Sequence, residues 1–172
     1  MTRRNRGPCV VDTNVAMVAN GKSTAGAACT AECAKELSDV MNRGHVVIDD
    51  ALLILNEYRA NLNSAGQPGV GDRFYRWLLV NQFNVERCTR VRVTSTTGGF
   101  AEFPVHEDLV SFDPSDRKFI AVAVAHPDKP CILQAFDSKW WPLRDVFSGC
   151  GVTIAFLCPK EIKAKYEEKC GC

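Results

Sequence analysis

A run of apolar residues, Pro8-Cys9-Val10-Val11, stops abruptly at an acid, a hydroxyl and an amide, Asp12-Thr13-Asn14. Consecutive apolar positions leave no polar face, so the run reads as a strand buried on both sides, the habit of parallel sheets. Similar runs return at His45-Val46-Val47-Ile48, Cys131-Ile132-Leu133-Gln134-Ala135-Phe136 and Val152-Thr153-Ile154-Ala155-Phe156-Leu157. Parallel neighbours need a crossover between them, and helical stretches occupy the gaps. The order predicts an α/β chain: a three-layer α/β/α fold with a mostly parallel central sheet.

The helical stretches carry recognisable boundaries. Cys29, Cys33, Leu37, Val40 and Met41 recur at helical spacing over a segment from about Ala25 to Asn42, and Gly44 supplies the stop. Asp49 or Asp50 caps a second helix running to about Asn63, with Leu52, Leu55 and Leu62 toward the core. Gly71-Asp72 opens a third, with Phe74, Trp77 and Leu78 on one face. Asp113, Pro114 and Asp116 mark the start of a largely apolar helix from Arg117 to Ala125, ended by His126-Pro127. Val91-Arg92-Val93-Thr94 alternates like an edge strand. The stretch from Ser95 to Val110, with Gly98-Gly99 and Pro104, is the least regular and reads as an insertion or mobile loop.

At 172 residues the chain suits one domain with a real core. Its boundaries are a basic tail over residues 1–7, the domain over 8–163, and a charged tail over 164–172 read as a frayed helix. A net charge of +1 gives no global bias, so affinity for nucleic acid must come from a local patch. Apolar runs are too short to cross a bilayer, and the basic N-terminus lacks the apolar stretch of a signal peptide. The expected location is cytoplasmic. Nine cysteines scattered through apolar stretches then read mainly as small buried hydrophobes in a reducing compartment. Cys29 and Cys33 lie one helical turn apart, a spacing able to hold a metal, but no second Cys/His pair with zinc spacing accompanies them.

Two strands end in an acid, Asp12 and Asp137. If they are neighbours, both carboxylates emerge beyond the carboxyl edge of the sheet, where parallel sheets place ligands. Asp116 begins the helix leading into the second strand, and Glu57 lies on a helix able to lean over the same edge. Each has a plainer alternative: Asp12 and Asp116 can cap helices, and Glu57 can be solvated. Four converging carboxylates cannot all stay ionised without cations, and hard divalent ions such as Mg²⁺ or Mn²⁺ resolve the repulsion. Such ions activate water and stabilise an in-line phosphodiester displacement. No P-loop is present.

Val10-Val11-Asp12-Thr13-Asn14-Val15, Leu55-Asn56-Glu57-Tyr58-Arg59, Asp116-Arg117-Lys118-Phe119-Ile120-Ala121-Val122-Ala123 and Ala135-Phe136-Asp137 occur in the order, and on the elements, of the PIN domain family of metal-dependent nucleases, which the chain resembles from Val10 to about Ile162. The resemblance implies a three-layer fold, Mg²⁺ or Mn²⁺ as cofactor, and endonuclease action on RNA more than on DNA. It implies Asp12, Glu57, Asp116 and Asp137 as the metal-binding catalytic acids, with Thr13 or Asn14 in support. The chain departs where the family commonly has a hydroxyl residue two positions before the last acid: Ala135 stands there, and Ser138 is the nearest substitute. Lys139-Trp140-Trp141 replaces the acid that often follows.

Lys139 and Trp140 offer a cation and an aromatic for phosphate and base, and Arg90 and Arg92 an alternating basic stretch able to follow a backbone. The alternative is that at least one of Trp140 and Trp141 packs in the core. An inhibitor or partner protein and a homodimer are left open. The main rival is a scaffold with the same fold that binds nucleic acid or protein without cleaving; Ala135 favours it. A haloacid-dehalogenase-type phosphatase wants a second aspartate two residues after the first, where Asn14 stands.

Overall fold

The computed structural model describes residues 7–171, so the basic segment before Gly7 lies outside the described residues. Five strands form one sheet: β1 (Pro8–Val11), β2 (His45–Asp49), β3 (Cys88–Val91), β6 (Cys131–Gln134) and β7 (Ile154–Phe156), in the order β3-β2-β1-β6-β7. Every pairing is parallel. The helices are α1 (Thr13–Ala19), α2 (Ala27–Arg43), α3 (Leu53–Asn61), α4 (Val70–Asn81), α5 (Arg117–Ala125), α6 (Arg144–Gly149) and α7 (Pro159–Cys170). Among the described residues the remaining strands, β4 (Ser95–Thr96) and β5 (Gly99–Phe100), pair with each other and not with this sheet.

The connections step one way from β1 to β2 to β3, then cross back to β6 and step the other way to β7. Right-handed crossovers therefore put α1, α2 and α4 on one face, where they pack together, and α5 on the other, across β1, β2 and β6. This is the expected three-layer α/β/α fold. Val10, Val11, Val46, Val47, Ile132 and Leu133 are buried, as strands covered on both faces must be.

Buried polar groups fix the layers. Tyr58 on α3 donates its hydroxyl proton to the Val11 carbonyl, one residue before Asp12. Asp49 ends β2 and caps α3 from a distance, accepting from Leu53 N at 2.7 Å and Ile54 N at 2.9 Å. This cap accommodates Leu52 at φ 66°, an uncommon conformation for a leucine. Asp72, fully buried, accepts from Asn63 N, Gly69 N and Asn20 Nδ2. It thereby ties the end of α1 to the turn that opens α4. Gly71 lets the two helices close up, since a Cβ there would stand 2.0 Å from the Ala16 carbonyl oxygen.

Four sequence expectations are corrected. The edge strand is Cys88–Val91 rather than 91–94, because its partner β2 ends at Asp49, which pairs with Val91. The stretch 95–110 is a docked hairpin and a 3-10 turn over Glu107–Leu109, not an open loop. Arg117 holds it, donating to the carbonyls of Gly98, Val110 and Phe112 while its guanidinium sits over Phe103. The charged tail is the body of α7: Lys165 donates to the Phe136 carbonyl and Lys169 to Ser138 Oγ. Cys29 is no simple buried thiol, because it forms a disulfide with Cys158 across 129 residues.

The three hydrogen bonds to Asp72 outweigh its burial, which alone would raise its pKa, and hold it below the ordinary carboxylate value. A carboxylate of lowered pKa stabilises the fold above its unfolded value, and that contribution is lost as pH falls through the folded one. Asp72→Ala should therefore cost about 2–4 kcal/mol in urea unfolding at pH 7. The gap from wild type should narrow toward pH 3.

Candidate functional site

The strand order reverses between β1 and β6, the strands themselves staying parallel, and such a switch point leaves a crevice beyond the strands' carboxyl ends. Asp12 follows β1 directly, its N–H bonded to the Leu133 carbonyl of β6 at 3.1 Å. Asp12 is 4% exposed, and its Oδ1 accepts from Asn14 N at 2.7 Å. It thus caps α1 with one oxygen. The cap and the active-site reading are not rivals, because the cap is what aims the carboxylate.

Asp137 lies three residues beyond β6. Two side chains hold its loop: Asn14 Oδ1 accepts from Phe136 N at 2.8 Å, and Gln134 Oε1 accepts from Asp137 N at 3.1 Å. Asn14 therefore bonds to both acid-bearing loops, a more specific task than positioning Asp12 alone. Asp116 stands at the start of α5 without capping it with its side chain, so the helix-cap alternative does not account for it. Asp113 accepts the local bonds from Ser115 and takes an ion pair from Lys139 at 2.8 Å.

Glu57 projects from α3, which touches α1, β2 and α5. Thr13 Oγ1 donates to Glu57 Oε1 at 2.6 Å, and Lys118 pairs with Oε2. Lys118 also donates to the Ser115 carbonyl, and its side chain is only 12% exposed. Sequence spacing gave no reason to single it out, since its partner lies on another helix 61 residues away, from 57 to 118. Gln134 was missed as well: it is fully buried, and among the described residues its Nε2 has no hydrogen-bond partner.

The charges of the four acids act on one another. Burial pushes the Asp12 carboxyl well above its ordinary range, and Asp116, Glu57 and Asp137 push it further, against the Asn14 N–H. Asp116 is raised to about 6, first by burial and then by Asp137 and Asp113, with Lys139 opposing. Their oxygens are nevertheless not crowded together. Among the described residues, the Asp, Glu, His and Cys groups whose ligand atoms all approach within 4.8 Å are Cys29, Cys33 and Cys158, not the acids. The acids are near enough for their charges to act on Asp12 and Asp116, and Lys118 pairs with one of them, Glu57.

The substrate candidates separate. Trp140 is fully buried, edge-on to Phe112 at 5.2 Å, so it belongs to the core and cannot stack on a base. Its large apolar area wins over a surface role. Lys139 remains at the rim, exposed and paired with Asp113. Arg92 is exposed, whereas Arg90 is half-buried, donating to the Asp50 carbonyl and lying over Phe83. Both sit at β3, two strands from β1 and about 10 Å away by strand spacing. Ser138 is buried and engaged by Lys169 rather than by one of the acids. A hollow of about 690 Å³ by Pro8, His45 and His126 opens at the amino ends of the strands, away from the acids.

A carboxyl raised in the fold favours folding below its unfolded pKa, and that contribution disappears as pH rises through the folded value. Asp116→Asn should thus stabilise the metal-free chain by about 1–2 kcal/mol at pH 8 and by much less at pH 4. Urea unfolding at the two pH values in a chelator measures it.

The chain matches no protein-family model, no curated protein and no solved structure.

Proposed function

We propose that the chain is a PIN-type, Mg²⁺- or Mn²⁺-dependent endonuclease that hydrolyses phosphodiester bonds in single-stranded RNA in the cytoplasm. The observation carrying this reading is the buried Asp12 carboxylate at the switch point, pressed by the charges of Asp116, Glu57 and Asp137. The donors are all hard oxygens, which suit Mg²⁺ or Mn²⁺ rather than a softer ion. When bound, the ion supplies positive charge beside a phosphoryl oxygen and makes a water more acidic.

The protein's own groups do the rest. Asp12 and Asp116 are the principal ligands in this reading, and Asp137 flanks them from the next strand. Glu57, oriented by Thr13, is the acid that can accept a proton from the attacking water. Lys118 neutralises Glu57, and its ammonium can turn to an incoming phosphate. Lys139 at the rim, with the more distant Arg92, would follow the nucleic-acid backbone. The scaffold reading, binding without cleavage, is favoured by one observation: Lys118 already satisfies Glu57.

Incubation with single-stranded RNA, single-stranded DNA and a phosphomonoester, with and without Mn²⁺, tests both. RNA cleavage should require the metal and fall about 1,000-fold or more in Asp12→Asn. Metal-stimulated cleavage undiminished in that variant would sink the acidic-site mechanism. RNA binding with no cleavage would support the scaffold.

A further inference from the structure

Away from the acids, three cysteines from two elements meet. Cys29 and Cys33 are one turn apart on α2, and Cys158 immediately precedes α7. All three are buried, and their sulfurs lie within 4.8 Å of one another. The disulfide uses two of them, Cys29 and Cys158, with Cα atoms 5.5 Å apart, and leaves Cys33 as a thiol beside it. A structural crosslink needs only two sulfurs, so the crosslink does not account for the third. Two chemistries use one: exchange with the disulfide, or coordination of a metal.

Exchange needs a thiolate. Burial, with Glu32, Glu36 and Glu161 nearby, pushes the Cys33 thiol up to about 12, so at neutral pH it is a poor nucleophile. The same negative surroundings that hold the proton on Cys33 attract a dication. A hollow of about 270 Å³ lined by Cys29, Glu32, Cys158 and Glu161 opens beside the sulfurs. It offers a way in and an oxygen donor. Glu161 is held there by accepting from Gly26 N at 2.9 Å, at the start of α2.

We propose that Cys29, Cys33 and Cys158 are a thiolate site for Zn²⁺ or an ion of its class, formed when the Cys29–Cys158 bond is reduced, with an oxygen ligand completing the tetrahedron from the hollow. Tetrahedral zinc with sulfurs at about 2.3 Å needs neighbouring sulfurs about 3.8 Å apart, a spacing within the span these three cover. The chemistry balances. A dithiol reductant gives two electrons and two protons to the disulfide and is itself oxidised to a disulfide. The ion then displaces one proton from each of the three thiols. Either state fastens α2 to the start of α7, so the clamp persists while its linkage changes from covalent to coordinate.

The full chain, reduced with a phosphine and kept anaerobic, is titrated with Co²⁺ and then Zn²⁺. The reduced chain should develop a thiolate-to-cobalt charge-transfer band with tetrahedral d–d bands, saturating at one equivalent and abolished by Zn²⁺. The oxidised chain should not. Cys33→Ser and Cys33→Ala, which leave the disulfide partners intact, should weaken Co²⁺ binding about tenfold or more. Cys88→Ser, and the paired change of Cys170 and Cys172 to serine, should leave it unchanged. Absence of the tetrahedral bands in the reduced chain, or Cys33 variants that titrate like wild type, would overturn the proposal. The acids cannot produce the charge-transfer signal, so the result stands apart from the nuclease reading.

Discussion

Burying a carboxylate costs several kcal/mol unless the surroundings answer for it. Asp12 is answered by one backbone N–H and opposed by three further acids. The arrangement persists because rigid elements on every side hold those acids. Tyr58 grips the end of β1, Asn14 bridges to the loop after β6, Thr13 fixes Glu57, and α5 brings Asp116 in from the opposite layer. The fold thus concentrates negative charge where the strand order reverses, between β1 and β6. A site strained in this way favours whatever brings positive charge to it. Lys118 meets part of that demand from within.

The strands were legible because parallel strands covered on both faces must be continuously apolar, and no other ordinary element of four or five residues reads that way. The acids after β1 and β6 were legible for a related reason: polar residues ending such runs have few places to be. What the sequence did not reveal was pairing across layers. Lys118 and Glu57 belong to different helices, and Gln134 reads as an interior residue of the run from Cys131 to Phe136, so neither signals that it will meet the acidic loops. Trp140 misled because a tryptophan beside a lysine resembles a nucleic-acid grip. The deciding fact was a pocket of aromatics, Phe112 and Phe147, assembled from distant segments.

The cysteines illustrate the same limit. Helical phase correctly put Cys29 and Cys33 on the core face of α2, yet phase says nothing about what that face meets. It meets the residue before α7, and the disulfide follows from that encounter. Once α7 is fastened at its start, its lysines reach the Phe136 carbonyl and Ser138, on either side of Asp137. A segment that reads as a charged tail is therefore a brace for an acidic loop.

Arg117 follows Asp116 directly and clasps the hairpin insertion almost wholly through carbonyl oxygens, those of Gly98, Val110 and Phe112. Every amino acid carries such an oxygen, so the grip is largely indifferent to which side chains the insertion displays. Over evolutionary time the surface of that hairpin can be rewritten while its seat beside the acids stays the same.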